Sequence, residues 1–191
     1  MSLYRDKGVV LRTIKLGEAD RIVTQTDGIE HFRVVRDDLD RLAKATSLLE
    51  AVDQVAQERA PAPRLYQMLL GALRALVNAD SALLVPAFFW KLLSAEGVHP
   101  LLEECARCGA TDDLVAFDLT EGGVLCRSCR SGVPISAEAL ALLRRILGGG
   151  LAASLAELPS PATHEVEHLA TAAMEAHLER RLRSITVLDR G

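Results

Sequence analysis

The stretch CARCGATDDLVAFDLTEGGVLCRSC, residues 105–129, contains all four cysteines of this 191-residue chain. The cysteines form two C-x-x-C pairs that lie about 17 residues apart in sequence. This spacing is typical of zinc sites in which two short turns each supply two thiolates to one tetrahedral ion. The sequence therefore predicts that four residues bind one zinc ion: Cys105, Cys108, Cys126 and Cys129.

Four thiolates complete the coordination of zinc and leave no position open for water or substrate, so a structural role is expected. Gly109 and Gly132 follow the two pairs and suit the tight turns that such a site requires. Residues Leu101 to Pro134 have too few apolar side chains for a core of their own, so the metal is expected to stabilise this segment. Two disulfides or redox-active pairs are alternatives that fit the spacing and the low cysteine content poorly.

Composition limits the possible functions. Apolar residues make up 49% of the chain and aromatic residues 4%, and the net charge is −4. A nucleic-acid partner would therefore need a local basic surface rather than overall positive charge. The chain has no targeting segment and no apolar run of roughly the 20 residues that a membrane span needs, so we expect a cytoplasmic protein.

The N-terminal 35 residues favour β-structure. Strands are predicted at Gly8–Ile14 and Arg21–Thr24 because their residues are apolar and often β-branched. Phe32–Val35 is compatible either with a strand edge or with the lead-in to a helix. A piece of this length cannot form a stable sheet alone.

Apolar residues then recur every three or four positions and predict helices over Asp37–Glu58, Arg64–Asn78 and Ser81–Gly97. Asp37 or Asp38 is expected to cap the first. The third is apolar nearly all round, which indicates a buried central helix. Pro86 indicates that this helix begins near Leu84 or is kinked there.

Further elements are predicted around and after the cysteines. A hairpin is expected between Leu114–Phe117 and Gly123–Leu125. Ser136 is expected to cap a helix over Ala137–Leu147, and Thr163 to cap a last helix that runs to Arg183.

Several segments resemble the RecO family of bacterial recombination mediators: residues 3–13 (LYRDKGVVLRT), 15–23 (KLGEADRIV), 65–73 (LYQMLLGAL) and 97–108. The resemblance covers nearly the whole chain. It implies an α+β fold with a partial oligonucleotide-binding (OB) fold at residues 1–35, an α-helical bundle at 36–100 and 134–191, and an inserted four-cysteine zinc-ribbon module at 101–133. The family's barrel is longer than this N-terminal piece, so its middle is expected to be absent between Val23 and Thr24.

The resemblance also implies a function in DNA repair and homologous recombination after DNA damage. A member of this family is expected to bind single- and double-stranded DNA, to anneal strands and to assist recombinase loading, without being an enzyme. The implied partners are RecR and the acidic C-terminal tail of single-strand DNA-binding protein, and the implied location is the nucleoid. The alternative is a zinc-stabilised protein-docking adaptor that does not bind DNA.

Candidate DNA contacts lie in two basic clusters. The first precedes residue 24 and consists of Arg5, Lys7, Arg12, Lys15 and Arg21. On composition alone these residues also fit a solvated strand face, and the resemblance favours DNA. The second consists of Arg180, Arg181, Arg183 and Arg190, which equally fit cations near a helix C-terminus.

The cysteine segment itself is acidic, which argues against direct phosphate binding by the zinc module. Six carboxylates (Glu103, Glu104, Asp112, Asp113, Asp118 and Glu121) outnumber three arginines (Arg107, Arg127 and Arg130). We therefore expect the module to stabilise the helical body. One enzymatic motif is present, H-E-x-x-H at His164–His168, which fits either a zinc hydrolase or a solvated helix start.

Overall fold

The computed structural model describes residues 32–56, 62–179, 181, 182 and 184. The two predicted N-terminal strands, residues 1–31 of the predicted OB fold and the DNA-binding candidates Arg5, Lys7, Arg12, Lys15 and Arg21 lie outside the described residues. The elements that follow are seven helices and three strands within the described part of the chain: α1 (Arg33–Arg36), α2 (Leu39–Val55), α3 (Pro63–Asn78), α4 (Leu84–Ala95), β1 (Leu114–Asp118), β2 (Gly123–Cys126), β3 (Val133–Pro134), α5 (Ala137–Leu147), α6 (Leu151–Leu155) and α7 (Pro161–Leu178).

Helix α4 is the centre of the helical body, as its apolar sequence predicts. It packs most extensively against α7 and also contacts α2, α3 and α5. Phe89 and Trp90 are among the largest fully buried side chains. The helix begins at Leu84, one of the two possibilities predicted from Pro86. Pro86 is its third residue, where the missing N–H would have no intrahelical acceptor.

Polar contacts fix α2 against the end of α3. Asp38 caps α2, and its side chain accepts a hydrogen bond from the Arg41 backbone N–H at 3.0 Å. The Arg41 guanidinium donates to the carbonyls of Leu76 and Val77 at 3.0 and 3.1 Å, in the last turn of α3. Those carbonyls have no intrahelical donor, so Arg41 satisfies acceptors that the helix leaves free.

The strands form one antiparallel sheet in the order β2-β1-β3. Strands β1 and β2 form the predicted hairpin, and Leu101 adds a parallel bridge to Gly123. The sheet lies between α4 and α5 in sequence. It therefore interrupts the helical body as an insertion.

Phe32–Val35 leads into a helix, one of the two alternatives that the sequence left open, since α1 covers Arg33–Arg36. Other parts of the helical body differ from the prediction. Helix α2 ends at Val55 instead of Glu58 because Ala56 is extended, with ψ 125°. The short helix α6 was not expected between the glycines and the prolines.

The last boundary error concerns α7. Its cap is Ser160, and Thr163 is the third helical residue. Ser160 Oγ accepts from the Thr163 N–H at 3.3 Å, while Thr163 Oγ1 accepts from the Ser160 N–H at 2.8 Å. This reciprocal capping box satisfies two donors at once. The helix ends at Leu178 instead of Arg183, because Glu179 adopts a left-handed conformation with φ 53°.

Across the described residues, every helix is too short or too polar to cross a membrane.

Candidate metal centre

The four cysteines of the chain meet at one point. Their sulfur atoms all lie within 4.8 Å of one another, and Cys108 Sγ is 3.7 Å from Cys126 Sγ. A zinc ion with four sulfurs at about 2.3 Å would separate neighbouring sulfurs by about 3.8 Å. All four thiols are free, and a disulfide would need a sulfur separation of about 2 Å. The cluster is thus close enough to bind a metal ion, and no disulfide joins these four cysteines in the structure.

Local backbone geometry places the sulfurs. In the first pair, the Cys105 N–H donates to the Ala110 carbonyl at 2.7 Å and the Gly109 N–H donates to the Cys105 carbonyl at 2.9 Å. In the second pair, the Cys129 N–H donates to the Cys126 carbonyl at 3.1 Å. Gly109 and Gly132 have φ values of 74° and 75°, which confirms the expected role of both glycines in tight turns.

The thiols influence one another's ionisation. Burial opposes ionisation of Cys105, but backbone N–H groups of Cys126, Arg107 and Cys108 donate to its sulfur and lower its pKa to about 6. Hydrogen bonding with Cys108 and burial, together with the Cys126 and Cys105 sulfurs, raise the pKa of Cys129 to about 12. The Cys105 thiol therefore loses its proton easily, and the Cys129 thiol loses its proton with difficulty. A divalent cation between the sulfurs would remove the repulsion that holds the last proton.

Arg107 joins the two cysteine pairs. Its guanidinium donates to Glu121 Oε1 at 2.9 and 3.1 Å and to the Cys129 carbonyl at 3.1 Å. It also donates to Ser131 Oγ at 3.2 Å, and Ser131 in turn donates to Asp118 Oδ2 at 2.6 Å. Contacts of this kind orient ligands in metal sites, and here they hold the second cysteine pair in place relative to the first. The sequence analysis counted Arg107, Glu121 and Asp118 only as charges, because their partners are 13 to 24 residues away.

Apolar contacts attach the cysteine module to the helices. Phe117, Val124 and Leu102 belong to the same buried cluster as the helical core. The rings of Phe117 and Trp90 meet edge to face, with their centroids 5.6 Å apart. A second, smaller cluster contains Ala116 and Leu125 together with the two buried cysteines, Cys105 and Cys126. The module therefore has one side against the clustered sulfurs and the other against the helical core.

A polar contact supports this attachment. Arg144 on α5 donates from Nε to the Leu102 carbonyl at 3.1 Å. The same nitrogen lies 3.3 Å from Glu103 Oε1. The start of the module is thus fixed to α5 as well as to α4.

The H-E-x-x-H motif occupies the first turns of α7. His164 and His168 are exposed, and His164 Nδ1 lies 3.6 Å from Glu167 Oε2. Glu165 accepts a hydrogen bond from the Ser136 backbone N–H at 2.7 Å, so it joins α7 to the start of α5. Within the described ranges, the cysteines are the one group of three or more side chains placed to hold a metal ion.

The predicted C-terminal basic cluster lies mostly outside the described residues. Arg181 is described and exposed, and Arg180, Arg183 and Arg190 are not described.

These features define a class of protein: a helical body that carries an inserted, four-cysteine module with metal-binding geometry. The family model described as "Recombination protein O C terminal" matches residues 36–185. The chain is 39% identical over 185 residues to the DNA repair protein RecO of Roseiflexus sp. (strain RS-1), and 40% identical over 171 residues to that of Anaeromyxobacter dehalogenans (strain 2CP-C). The chain belongs to the RecO family, which confirms the resemblance found in the sequence.

Coverage differs among these relatives. The alignment with the Roseiflexus protein includes 92% of this chain and 65% of that protein. The alignment with the Anaeromyxobacter protein includes 84% of this chain and 66% of that protein. The chain therefore spans just under two thirds of the length of these relatives. The RecO protein of Frankia casuarinae is 31% identical over 244 positions that include all of both chains. Because this chain has 191 residues, that alignment contains gaps in it. The expected absence between Val23 and Thr24 stays a prediction.

Proposed function

We propose that this chain acts in DNA repair and homologous recombination as a mediator that is not an enzyme. It binds single- and double-stranded DNA, anneals complementary strands and assists recombinase loading. The observation that carries the proposal is the family match over residues 36–185, together with relatives named as DNA repair proteins. Its partners in this proposal are RecR and the acidic C-terminal tail of single-strand DNA-binding protein, and it works at the nucleoid.

In this proposal the cysteine module holds a structural zinc ion. The donor set supports zinc, because four thiolates at these separations match its preferred tetrahedral coordination. Cys105, Cys108, Cys126 and Cys129 would hold the ion, and Arg107 would keep the two pairs in register. Zinc supplies a cross-link between two turns that have little apolar surface of their own.

A non-enzymatic role is supported by Glu165, the residue that a zinc hydrolase would use as its base. Its carboxylate already accepts the Ser136 N–H, and this contact serves the packing of α5 on α7. Both histidines of the motif are exposed at the surface. We therefore assign His164–His168 to the start of a solvated helix.

The second candidate is a zinc-stabilised adaptor that docks proteins without binding DNA. The acidic surface of the cysteine module favours it, since exposed carboxylates such as Glu103, Glu104 and Asp112 repel phosphate. The two candidates differ in one property, which is affinity for DNA.

Fluorescence anisotropy of labelled single-stranded DNA, titrated with the zinc-loaded protein over a series of salt concentrations, separates them. The mediator is expected to bind with a log affinity that falls linearly with log salt. A folded, zinc-loaded protein that does not bind DNA at low salt would contradict the mediator and support the adaptor. Circular dichroism and zinc content, measured on the same sample, show that the protein tested is folded.

A further inference from the structure

Two exposed histidines lie one turn apart on helix α7. His164 is the fourth residue of the helix and His168 is the eighth. Residues at i and i+4 of a helix share one side, with about 5–6 Å between their Cβ atoms. We call His164 and His168 the histidine pair. The proposed function makes no use of this pair.

The ring nitrogens of the histidine pair are largely free to bind a ligand. His164 Nδ1 lies 3.6 Å from Glu167 Oε2, and among the described residues this is the one polar contact of either ring. His164 Nε2 and both nitrogens of His168 are therefore available. Imidazole nitrogen is a preferred ligand of zinc, copper and nickel ions. Because the helix holds both backbones in place, an ion that bridges the rings would order only two short side chains.

The charge of the surrounding sequence favours a cation. The stretch from Ile146 to Glu179 contains five glutamates and neither lysine nor arginine. Glu165 and Glu167 lie between the two histidines in sequence. The positive N-terminal end of the α7 dipole opposes a cation, but this effect falls off within the first turn, at the end of which His164 lies.

The described arginines nearest to α7 in sequence have other partners or lie at its far end. On α5, which packs on α7, Arg145 forms an ion pair with Glu157. The neighbouring Arg144 lies 3.3 Å from Glu103 Oε1. Arg181 follows the C-terminal end of α7, whereas the histidine pair is near the N-terminal end. Both arginines of α5 are thus neutralised by other carboxylates.

We propose that His164 and His168 bind one divalent transition-metal ion of the class Ni²⁺, Cu²⁺ and Zn²⁺, with water completing its coordination. This inference is independent of the proposed DNA-binding function and of the cysteine site. The ion joins the first two turns of α7, the helix that packs most extensively on α4, so its binding stabilises the helical body. Glu165 accepts the Ser136 N–H, so the site binds a metal without the base that a hydrolase needs.

Titration of the zinc-loaded full chain, without an affinity tag, with Ni²⁺ in a calorimeter tests the inference. Ni²⁺ is the probe because Cu²⁺ oxidises thiols. Loss of a residue that only orients a ligand weakens metal binding about 10–100-fold, so loss of a ligand in His164→Ala or His168→Ala is expected to weaken it about tenfold or more. His177→Ala is the matched control, because His177 is exposed on the same helix without a histidine one turn away. Wild-type affinity in both pair variants would overturn the inference.

Thermal unfolding gives a second readout. An ion that binds the folded helix raises the Tm, so Ni²⁺ is expected to raise it in wild type and His177→Ala and not in the two pair variants. Without Ni²⁺, the pair variants are expected to melt like wild type, since alanine is a good helix former. A zinc indicator in the same samples is expected to show no release of zinc. Ni²⁺ that binds only as zinc is released would be located at the cysteines, and this result would overturn the inference, as would an unchanged Tm in wild type.

Discussion

At the scale of single residues, Gly109 and Gly132 make the same backbone turn in different surroundings. Both have φ near 75°, a conformation that costs a residue with a side chain about 1–2 kcal/mol. A Cβ on Gly109 would meet no atom within 4 Å, whereas one on Gly132 would overlap the carbonyl oxygen of Phe117. The two positions therefore separate backbone strain from steric overlap.

Gly109→Ala is expected to lower the free energy of unfolding of the zinc-loaded protein by about 1 kcal/mol, from strain alone. Gly132→Ala is expected to lower it by about 3 kcal/mol or more, because β1 must also move. Urea unfolding followed by circular dichroism measures both values. Similar losses in the two variants would mean that the turn after the second pair can shift away from β1.

Arg107→Ala is expected to weaken zinc binding by roughly 10–100-fold, the usual effect of losing a residue that orients metal ligands. Competition with a chelator of known affinity measures the change. Arg130→Ala serves as the control, as it removes a neighbouring arginine of the same module. If both variants keep wild-type affinity, the contacts from Arg107 to Glu121 and the Cys129 carbonyl do not support the metal site.

The cysteine cluster could be predicted from sequence because its geometry is local. Two residues between ligands define each turn, and the hairpin of β1 and β2, which was also predicted, brings the two turns together. The contacts of Arg107 could not be predicted in this way. They depend on how the β1–β2 turn and the residues after Cys129 fold back on the first pair.

At the scale of elements, a charged contact joins α2 to the residue that follows the end of α3. Lys44 is paired with Asp40, at 2.7 Å, and with Asp80. The Lys44 side chain is 13% exposed, so solvent screens its ion pairs only in part. The hydrogen bond from Lys44 is the main cause that lowers the pKa of Asp80 below its ordinary value of 3.8, against a smaller opposing effect of burial.

A carboxyl with a lowered pKa in the folded state adds stability above its unfolded pKa and loses it as pH falls through the folded value. The stability difference between wild type and Asp80→Asn should thus be constant above about pH 5 and should shrink in more acidic solution. The free energy of unfolding of both proteins, measured at several pH values, checks this. Protonation of the cysteines changes stability equally in both proteins, so it cancels in the difference. A difference that grows toward low pH would contradict the pairing.

The presence of a helix could be predicted more reliably than the residues at which it begins and ends. Repeated apolar residues marked α2, α3 and α4, since burial of one side stabilises these helices, and capping residues marked α5 and α7. The cap of α7 was assigned to Thr163 because serine and threonine are both good caps, and only the structure shows that Ser160 holds that position. Helix α6 lacked a sequence signal because its formation depends on contacts such as that between Arg145 and Ser154.

At the scale of the whole molecule, the metal site and the helical core are joined through the sheet. Phe117 on β1 packs against Trp90 on α4, and Trp90 is the single tryptophan of the chain. The sequence placed Phe117 in the first strand of the predicted hairpin. It could not predict that the partner would be a helix more than 20 residues earlier in the chain.

Removal of zinc by a chelator is therefore expected to change the fluorescence of Trp90, because the cysteine module loses its fold and Phe117 moves. The emission spectrum during chelation, and after zinc is added back, measures the effect. Phe117→Leu is the control, as its tryptophan signal should respond less to chelation. An unchanged spectrum in wild type, with zinc shown to be released, would mean that the sheet keeps its place without the metal.

The packing of α4 on α7 also has a consequence for synthesis of the protein on the ribosome. Helix α4 ends at Ala95, and its most extensive partner begins only at Pro161. At roughly 5–20 residues per second, translation of the intervening segment takes several seconds. During this time Phe89, Leu92 and Leu93 are already made, and the helix that covers much of α4 is not. Until α7 is made, the side of α4 that packs on it is expected to stay uncovered, while α2 and α3 are already available to pack on the rest of α4.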